Sequence, residues 1–232
     1  MVDAIINSFN KAPKIFLAES DNYRGTGTER LQKWKTLFSK RVVPFNLSED
    51  KETRQVKVAD EKIGLSHILF KPNVFISTHI MRIYERGSII KNLLGLIPDR
   101  KKVRFHKKLE PALLDMIEAI GGIDLAVLDG THVSTGVAPN AKRIPTNILI
   151  VGRDAVAVET IGATLAGMNP EKMPIIQQAV SRNLGEGDIK KIEILGTPLE
   201  NLQERFEPLL KTSKKKTKAS PASKKTRTKK KT

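Results

Sequence analysis

Two uninterrupted apolar runs constrain this chain most. Leu125-Ala126-Val127-Leu128 lies inside Asp124–Asp129, and Ile148-Leu149-Ile150-Val151 lies inside Asn147–Gly152. A strand that is apolar at every position buries both faces, as strands of parallel sheets do. Each run neighbours a helical pattern. Leu109 to Ile120 has amphipathic spacing and is closed by Gly121-Gly122, and residues 155–167 are small and branched apolar residues. The same alternation extends outward. Lys14–Glu19 and Val42–Leu47 read as strands, and the spacing of Leu31, Trp34, Leu37 and Phe38 reads as a helix, with Thr26 and Glu29 as a capping box. Residues 53–59 read as an edge strand, and 68–70 and 74–77 as short apolar runs. Gly130 to Thr146 reads as a polar loop, Pro174–Leu184 as a helix, Ile192–Gly196 as a last strand and 199–210 as a closing helix. The expected fold class is α/β: a mostly parallel sheet with helices on both faces, plus an irregular basic insertion around 77–108 over the sheet's edge.

Charge divides the chain into two parts. The net charge is +16, but residues 211–232 hold ten Lys and one Arg with no acid, leaving about +5 on residues 1–210. The expected organisation is one α/β domain over 1–210 and a disordered Lys-rich tail over 211–232. Alanine is the largest apolar side chain in that tail, so it has little with which to offset the entropy of ordering. A lysine run neutralises phosphates without reading sequence, so the tail suits a polyanion or nucleic acid; the alternative is a solubilising extension. There is no cysteine, which excludes disulfides, thiolate zinc sites and an iron–sulfur cluster ligated by this chain. No apolar run approaches 18 residues and the N-terminus lacks a secretory pattern, so no membrane partner is expected and the expected localisation is cytoplasmic.

The polar residues worth chemistry cluster between 79 and 159. His79 follows an apolar run, and Asp129 closes one at the edge where α/β proteins bind ligands. These two are the expected catalytic residues, His79 moving a proton and Asp129 orienting ligand or metal. Lys91, Asn92, Gly95, His106 and Asp154 are the expected ligand-binding residues. Lys91 supplies charge, Asn92 an amide and Gly95 close backbone approach, among Arg82, Arg86, Arg100, Lys101, Lys102 and Arg104. Each has a plainer reading. Asp154 stands where a helix N-cap belongs, Asp129-Gly130 could be a turn, and each histidine taken singly could be structural. The spacings of His67, His79, His106 and His132 match no zinc signature, although imidazole with carboxylates suits a divalent metal. Glu159 falls inside an apolar helix and needs a buried partner, such as a cation from 79–106. Gly25-Thr26-Gly27 hints at a phosphate loop, but Arg30 occupies the third glycine position of the dinucleotide fingerprint.

In order, Thr78-His79, Ile90-Lys91-Asn92-Leu93-Leu94-Gly95, His106, Asp129-Gly130 with Gly136 and Pro139, and Asp154-Ala155-Val156-Ala157-Val158-Glu159 resemble the domain of unknown function 362 family. Gly185-Glu186-Gly187-Asp188 and the run Ile192–Gly196 continue the likeness, which covers roughly residues 14–197. Some members of that family carry ferredoxin-like iron–sulfur modules, so the resemblance hints at redox work, with the redox partner undefined. The zero cysteine count argues against such a role for this chain itself. Members also usually begin with a Lys-Pro-Asn-containing strand ahead of the segment equivalent to Lys14–Ser20, so the resemblance points to a start that is either truncated or misassigned. Glu159 stands where Asp is common.

Two functions follow as expectations. One is a protein or enzyme that binds a small anionic ligand at the carboxyl edge of the sheet, with a divalent metal as an option. The other is a non-enzymatic interaction protein whose basic tail meets nucleic acid or an acidic partner. The sequence decides neither the substrate nor whether the chain is an enzyme.

Overall fold

The computed structural model describes residues 2–35, 37–38, 40–83, 86–135 and 142–217. Helix α1 (Val2–Ser8) leads into β1 (Ile15–Glu19), α2 (Gly27–Lys35) and β2 (Val42–Asn46). β1 and β2 are parallel neighbours, Ile15 opposite Val42 and Glu19 opposite Asn46. Next come β3 (Thr53–Val58) and β4 (Glu61–Ser66), an antiparallel hairpin that turns at Ala59-Asp60, both with positive φ. The sequence reading found β3 but not β4, because Ala-Asp lacks the glycine that usually marks such a turn.

The second half holds β5 (Ile76–Ile83), α3 (Leu109–Ile120), β6 (Leu125–Thr135), β7 (Lys142–Gly152), α4 (Ala155–Leu165), α5 (Pro174–Ser181) and α6 (Leu199–Thr217). The sheet order is β5-β6-β7, with β5 parallel to β6 and β7 antiparallel to it. The protein is therefore mixed α/β, with three small sheets among the described residues, two of them containing antiparallel pairs. The expected mostly parallel sheet covered on both faces is corrected accordingly. Helix α4 packs on the face that carries Ala126, Leu128 and Ile148. On the other face of β7, Leu149 and Val151 are 58% and 51% exposed. Both apolar runs are strands, as read; Ala126, Val127 and Leu128 are buried in succession, so the first is covered on both faces, while the second is covered on one.

Three boundaries also change. The expected loop 130–146 is largely a hairpin, since β6 continues to Thr135 and β7 begins at Lys142. Gly136 and Pro139 lie outside the described residues. Residues 192–196 pair with no strand among the described residues, and Leu195 is exposed. Helix α6 extends through Thr217, into the lysine-rich segment, and residues 218–232 lie outside the described residues.

The core explains why 87–108 is not a loose insertion. Ile89, Ile90, Leu93, Leu96, Ile97 and Phe105 are buried there and join one cluster with Leu109, Leu113 and Ile117 of α3 and Leu128 of β6. Short 3-10 turns at Lys91–Leu96 and Lys102–Lys108 carry these side chains inward, while Lys101, Lys107 and Lys108 are exposed. Truncating a fully buried leucine in such a cluster costs about 2–5 kcal/mol. The basic segment is thus fixed in place by its own apolar residues, and that is what positions its charges.

Candidate anion-binding site

Glu159 is the fixed point of the site. It lies within α4, is 1% exposed and points at the chain reversal between β5 and the 91–96 turn. Its carboxylate accepts the backbone N–H groups of Ser88 at 2.6 Å and Ile90 at 2.9 Å, and the amide of Ile89 adds to them. Burial pushes the Glu159 carboxyl up, and these three amides pull it back. The partner of this buried acid is therefore a nest of amides, where the sequence suggested a cation. Gly87 makes the wrap possible: its φ is +81°, and a Cβ there would sit 3.0 Å from the Glu159 carboxyl group. Ser88 closes the loop onto the strand, its hydroxyl accepting the Arg82 N–H at 3.1 Å.

The loop held by Glu159 gathers positive groups. His79 and Arg82 come from β5, Arg86 from the loop and Lys91 from the start of the following turn. Burial holds the His79 imidazole below its usual range; the Ile80 carbonyl works against that, and Arg82 and Lys91 add to it. Lys91 is likewise held low by burial first, then by Arg82 and Arg86. Both effects oppose the protonated forms, so each cation raises the electrostatic cost of the others. The His79 Nδ1 lies 2.7 Å from the Ile80 carbonyl, which can only accept, so Nδ1 carries the proton and Nε2 is the nitrogen left to titrate. Asn92 fixes the turn to β5: its Nδ2 donates to Thr78 O at 3.1 Å and to Ser77 Oγ at 3.3 Å. Arg86 Nη1 donates to the His106 carbonyl at 3.1 Å, which brings that backbone beside the group, while the His106 side chain is exposed.

The remaining expected residues lie elsewhere. Asp129 is mid-strand in β6, opposite Ile80 and Leu149, next to a register shift, and its Oδ1 accepts the Thr131 N–H at 2.9 Å. His79 stands opposite Leu128, the neighbour of Asp129, so strand alternation puts His79 and Asp129 on opposite faces of the sheet. Asp154 caps α4 through the N–H groups of Val156 and Ala157 at 2.8 and 2.9 Å, and its Oδ2 accepts the Glu186 N–H at 2.7 Å. Gly185, at φ +156°, allows that approach, since a Cβ there would collide with the Asp154 carboxylate. A Cβ at Gly95 would meet open space, so Gly95 contributes its carbonyl, which accepts from Ser20 Oγ, and no close approach. His132 is exposed, and His67 Nδ1 lies 3.2 Å from Glu52. Among the described residues no three His, Asp or Glu side chains come together to hold a metal ion.

Sequence reasoning missed a second polar cluster, at the carboxyl ends of β1 and β2. Ser20, Asp21 and Asn46 are buried there. Asp21 Oδ1 accepts the Gly27 N–H at 2.9 Å, opening α2, and Asn46 Nδ2 at 3.2 Å. Its Oδ2 accepts Arg100 Nε at 3.0 Å. Burial raises the Asp21 carboxyl, but the Gly27 amide, Asn46 and Arg100 outweigh it and hold it below its usual range. The first amide of α2 is thus taken by a carboxylate of the chain itself, which is why Gly25-Thr26-Gly27 does not present an empty phosphate loop. The signal was present: Ser20-Asp21 directly follow a β-run, at the edge where parallel strands build sites.

Fold and site together describe a mixed α/β protein whose basic segment is folded around a buried glutamate. Residues 1–164 match the domain of unknown function family DUF362, and the chain belongs to that family. No curated protein and no solved structure matches it. Among the described residues no helix is long and apolar enough to cross a membrane.

Proposed function

We propose that the chain binds a small anion, of the carboxylate or tetrahedral oxyanion class, at the group formed by His79, Arg82, Arg86 and Lys91. The observation that carries this reading is the mutual opposition of these cations in a partly buried place, held there by Glu159. A fold that confines like charges gains when an anion relieves them. Lys91 and Arg86 would supply charge-assisted hydrogen bonds, and His79 Nε2 would take up a proton as the anion binds. Asn92 acts by holding the turn, and the His106 carbonyl by orienting Arg86. Asp129 and Asp154 have no part in this reading. The cytoplasm is the setting this reading assumes.

The test is thermal stabilisation of the intact chain by sulfate, an anion whose charge is constant from pH 6 to 8. Saturable stabilisation that Lys91→Met abolishes supports the site; equal stabilisation of both proteins refutes it.

A second reading rests on the tail. The ten Lys and one Arg of residues 211–232 would contact nucleic acid or an acidic partner. Deleting those residues should then flatten the salt dependence of binding to a nonspecific duplex, and an unchanged slope would refute it.

A further inference from the structure

The cluster at the carboxyl ends of β1 and β2 contains a cation, Lys102, that no ion pair among the described residues takes up. Arg30 pairs with Glu19 at 2.9 Å and also donates to the Ser20 carbonyl at 3.1 Å. Arg100 pairs with Asp21 at 3.0 Å, and Arg104 with Asp99 at 2.6 Å and with Glu61 at 2.8 Å. Three arginines thus take up the carboxylates. Lys102 enters the same place half-buried, and its Nζ bonds the hydroxyl of Ser20, which in turn donates to the Gly95 carbonyl. Ser20 is almost fully buried, so the hydroxyl is fixed and aligned. A lysine placed against a neutral hydroxyl, with its nearby carboxylates engaged by arginines, is poorly compensated as an ammonium.

We infer that Lys102 is a nucleophilic lysine, with Ser20 as its positioning partner, in a second site that condenses with a small aldehyde or ketone. The step balances without a further reactant. The amine lone pair of Lys102 forms a bond to the carbonyl carbon while the C=O π pair moves to oxygen, which takes one amine proton. The carbinolamine then loses its oxygen as water when nitrogen releases its second proton, leaving a C=N bond. The Ser20 hydroxyl, bonded to both Nζ and the Gly95 carbonyl, is the nearest group able to pass a proton along that path. The electrostatic setting agrees. Burial lowers Lys102 to about 8, Glu19, Asp21 and Asp99 pull it up, and Arg30 pushes it down. Near neutral pH such a lysine has a usable fraction of free amine, where an ordinary lysine, near 10.4, has almost none. This site shares no side chain with the anion group above, so either can fail alone.

Formaldehyde is the probe, as the smallest aldehyde. The intact chain is treated at pH 7.5 with a limiting amount plus cyanoborohydride, which traps the imine, and methylated lysines are quantified by peptide mapping. Exposed lysines such as Lys51 and Lys107 are the internal references. Lys102 should be labelled roughly tenfold faster than these. Glu19→Gln, which removes the carboxylate acting most strongly on Lys102, should increase that preference. Lys102→Arg should remove the fast-labelled site and leave the others unchanged. Labelling of native Lys102 no faster than the references would overturn the inference. So would a preference that Glu19→Gln leaves unaltered, because an amine that is partly free near neutral pH must become more so when that carboxylate is removed.

Discussion

The two ends of the 87–108 segment treat charge in opposite ways. Near Pro98 and Arg100 the segment meets the β1–β2 edge, where Asp21 is matched by an amide, an asparagine and an arginine. Near Gly87 and Lys91 it meets β5, where His79, Arg82, Arg86 and Lys91 oppose one another. The first end is compensated and reads as structure. The second is held together against its own repulsion, by three amides on one buried carboxylate. Cations gathered in this way favour an anion beside them, which is the basis of the proposed binding site.

The largest expected effect breaks the Gly87–Lys91 end. Glu159→Ala leaves the buried amides of Ser88 and Ile90 without an acceptor and should cost about 3–5 kcal/mol in urea unfolding. A loss under about 1 kcal/mol would mean the loop is held by something else. Next comes the anion itself. Sulfate at a hundred times its Kd should stabilise the wild type by about 2.7 kcal/mol, and Lys91→Met should lose most of that gain.

The compensated end should respond to charge removal in the ordinary way. Asp21→Asn keeps the shape but weakens the bonds to Gly27 and Arg100, at a cost of about 1–2 kcal/mol at pH 7. Because the folded Asp21 carboxyl is lowered, its contribution is complete above the unfolded value of about 3.9 and disappears as pH falls through the folded value. Wild type and Asp21→Asn should therefore converge in stability toward pH 2. Stability curves that stay parallel there would contradict the assignment.

His79 sharpens the comparison through the opposite kind of group. Its folded value is lowered, so the unfolded chain binds the extra proton first and stability falls as pH drops below about 6.5. Sulfate, which favours protonated His79, should reduce that acid loss, and His79→Asn should remove both the loss and its rescue. The smallest effect is expected at Asp129. It lies on the far face of the sheet from His79, so Asp129→Asn should change stability by less than about 0.5 kcal/mol and leave sulfate binding unaltered.

Legibility in the sequence followed the physics of each signal. Helix α3 was readable because Leu109, Leu113 and Ile117 repeat at helical spacing and Gly121 closes it. The N-cap at Asp154 was readable because it is a local interaction. Three things were not. The open face at Leu149 and Val151 was hidden, because an apolar strand reads alike whether or not a helix covers it. The partner of Glu159 was hidden, because backbone amides have no letter in the sequence. The separation of His79 from Asp129 depends on strand register, which apolar pattern does not fix. Lys91 and His79 stand out in the sequence by residue type and place, while Ser20, Asp21 and Asn46 are brought together only by the β1–β2 pairing.

Calorimetric titration of sulfate into the intact chain tests the central claim most directly, with Lys91→Met alongside. The account predicts one saturable site per chain, tighter at pH 6 than at pH 8, that Lys91→Met eliminates, while weak unsaturable binding by the lysine-rich tail persists in both proteins. The same saturable isotherm in wild type and Lys91→Met, or none in a folded wild type, would contradict it.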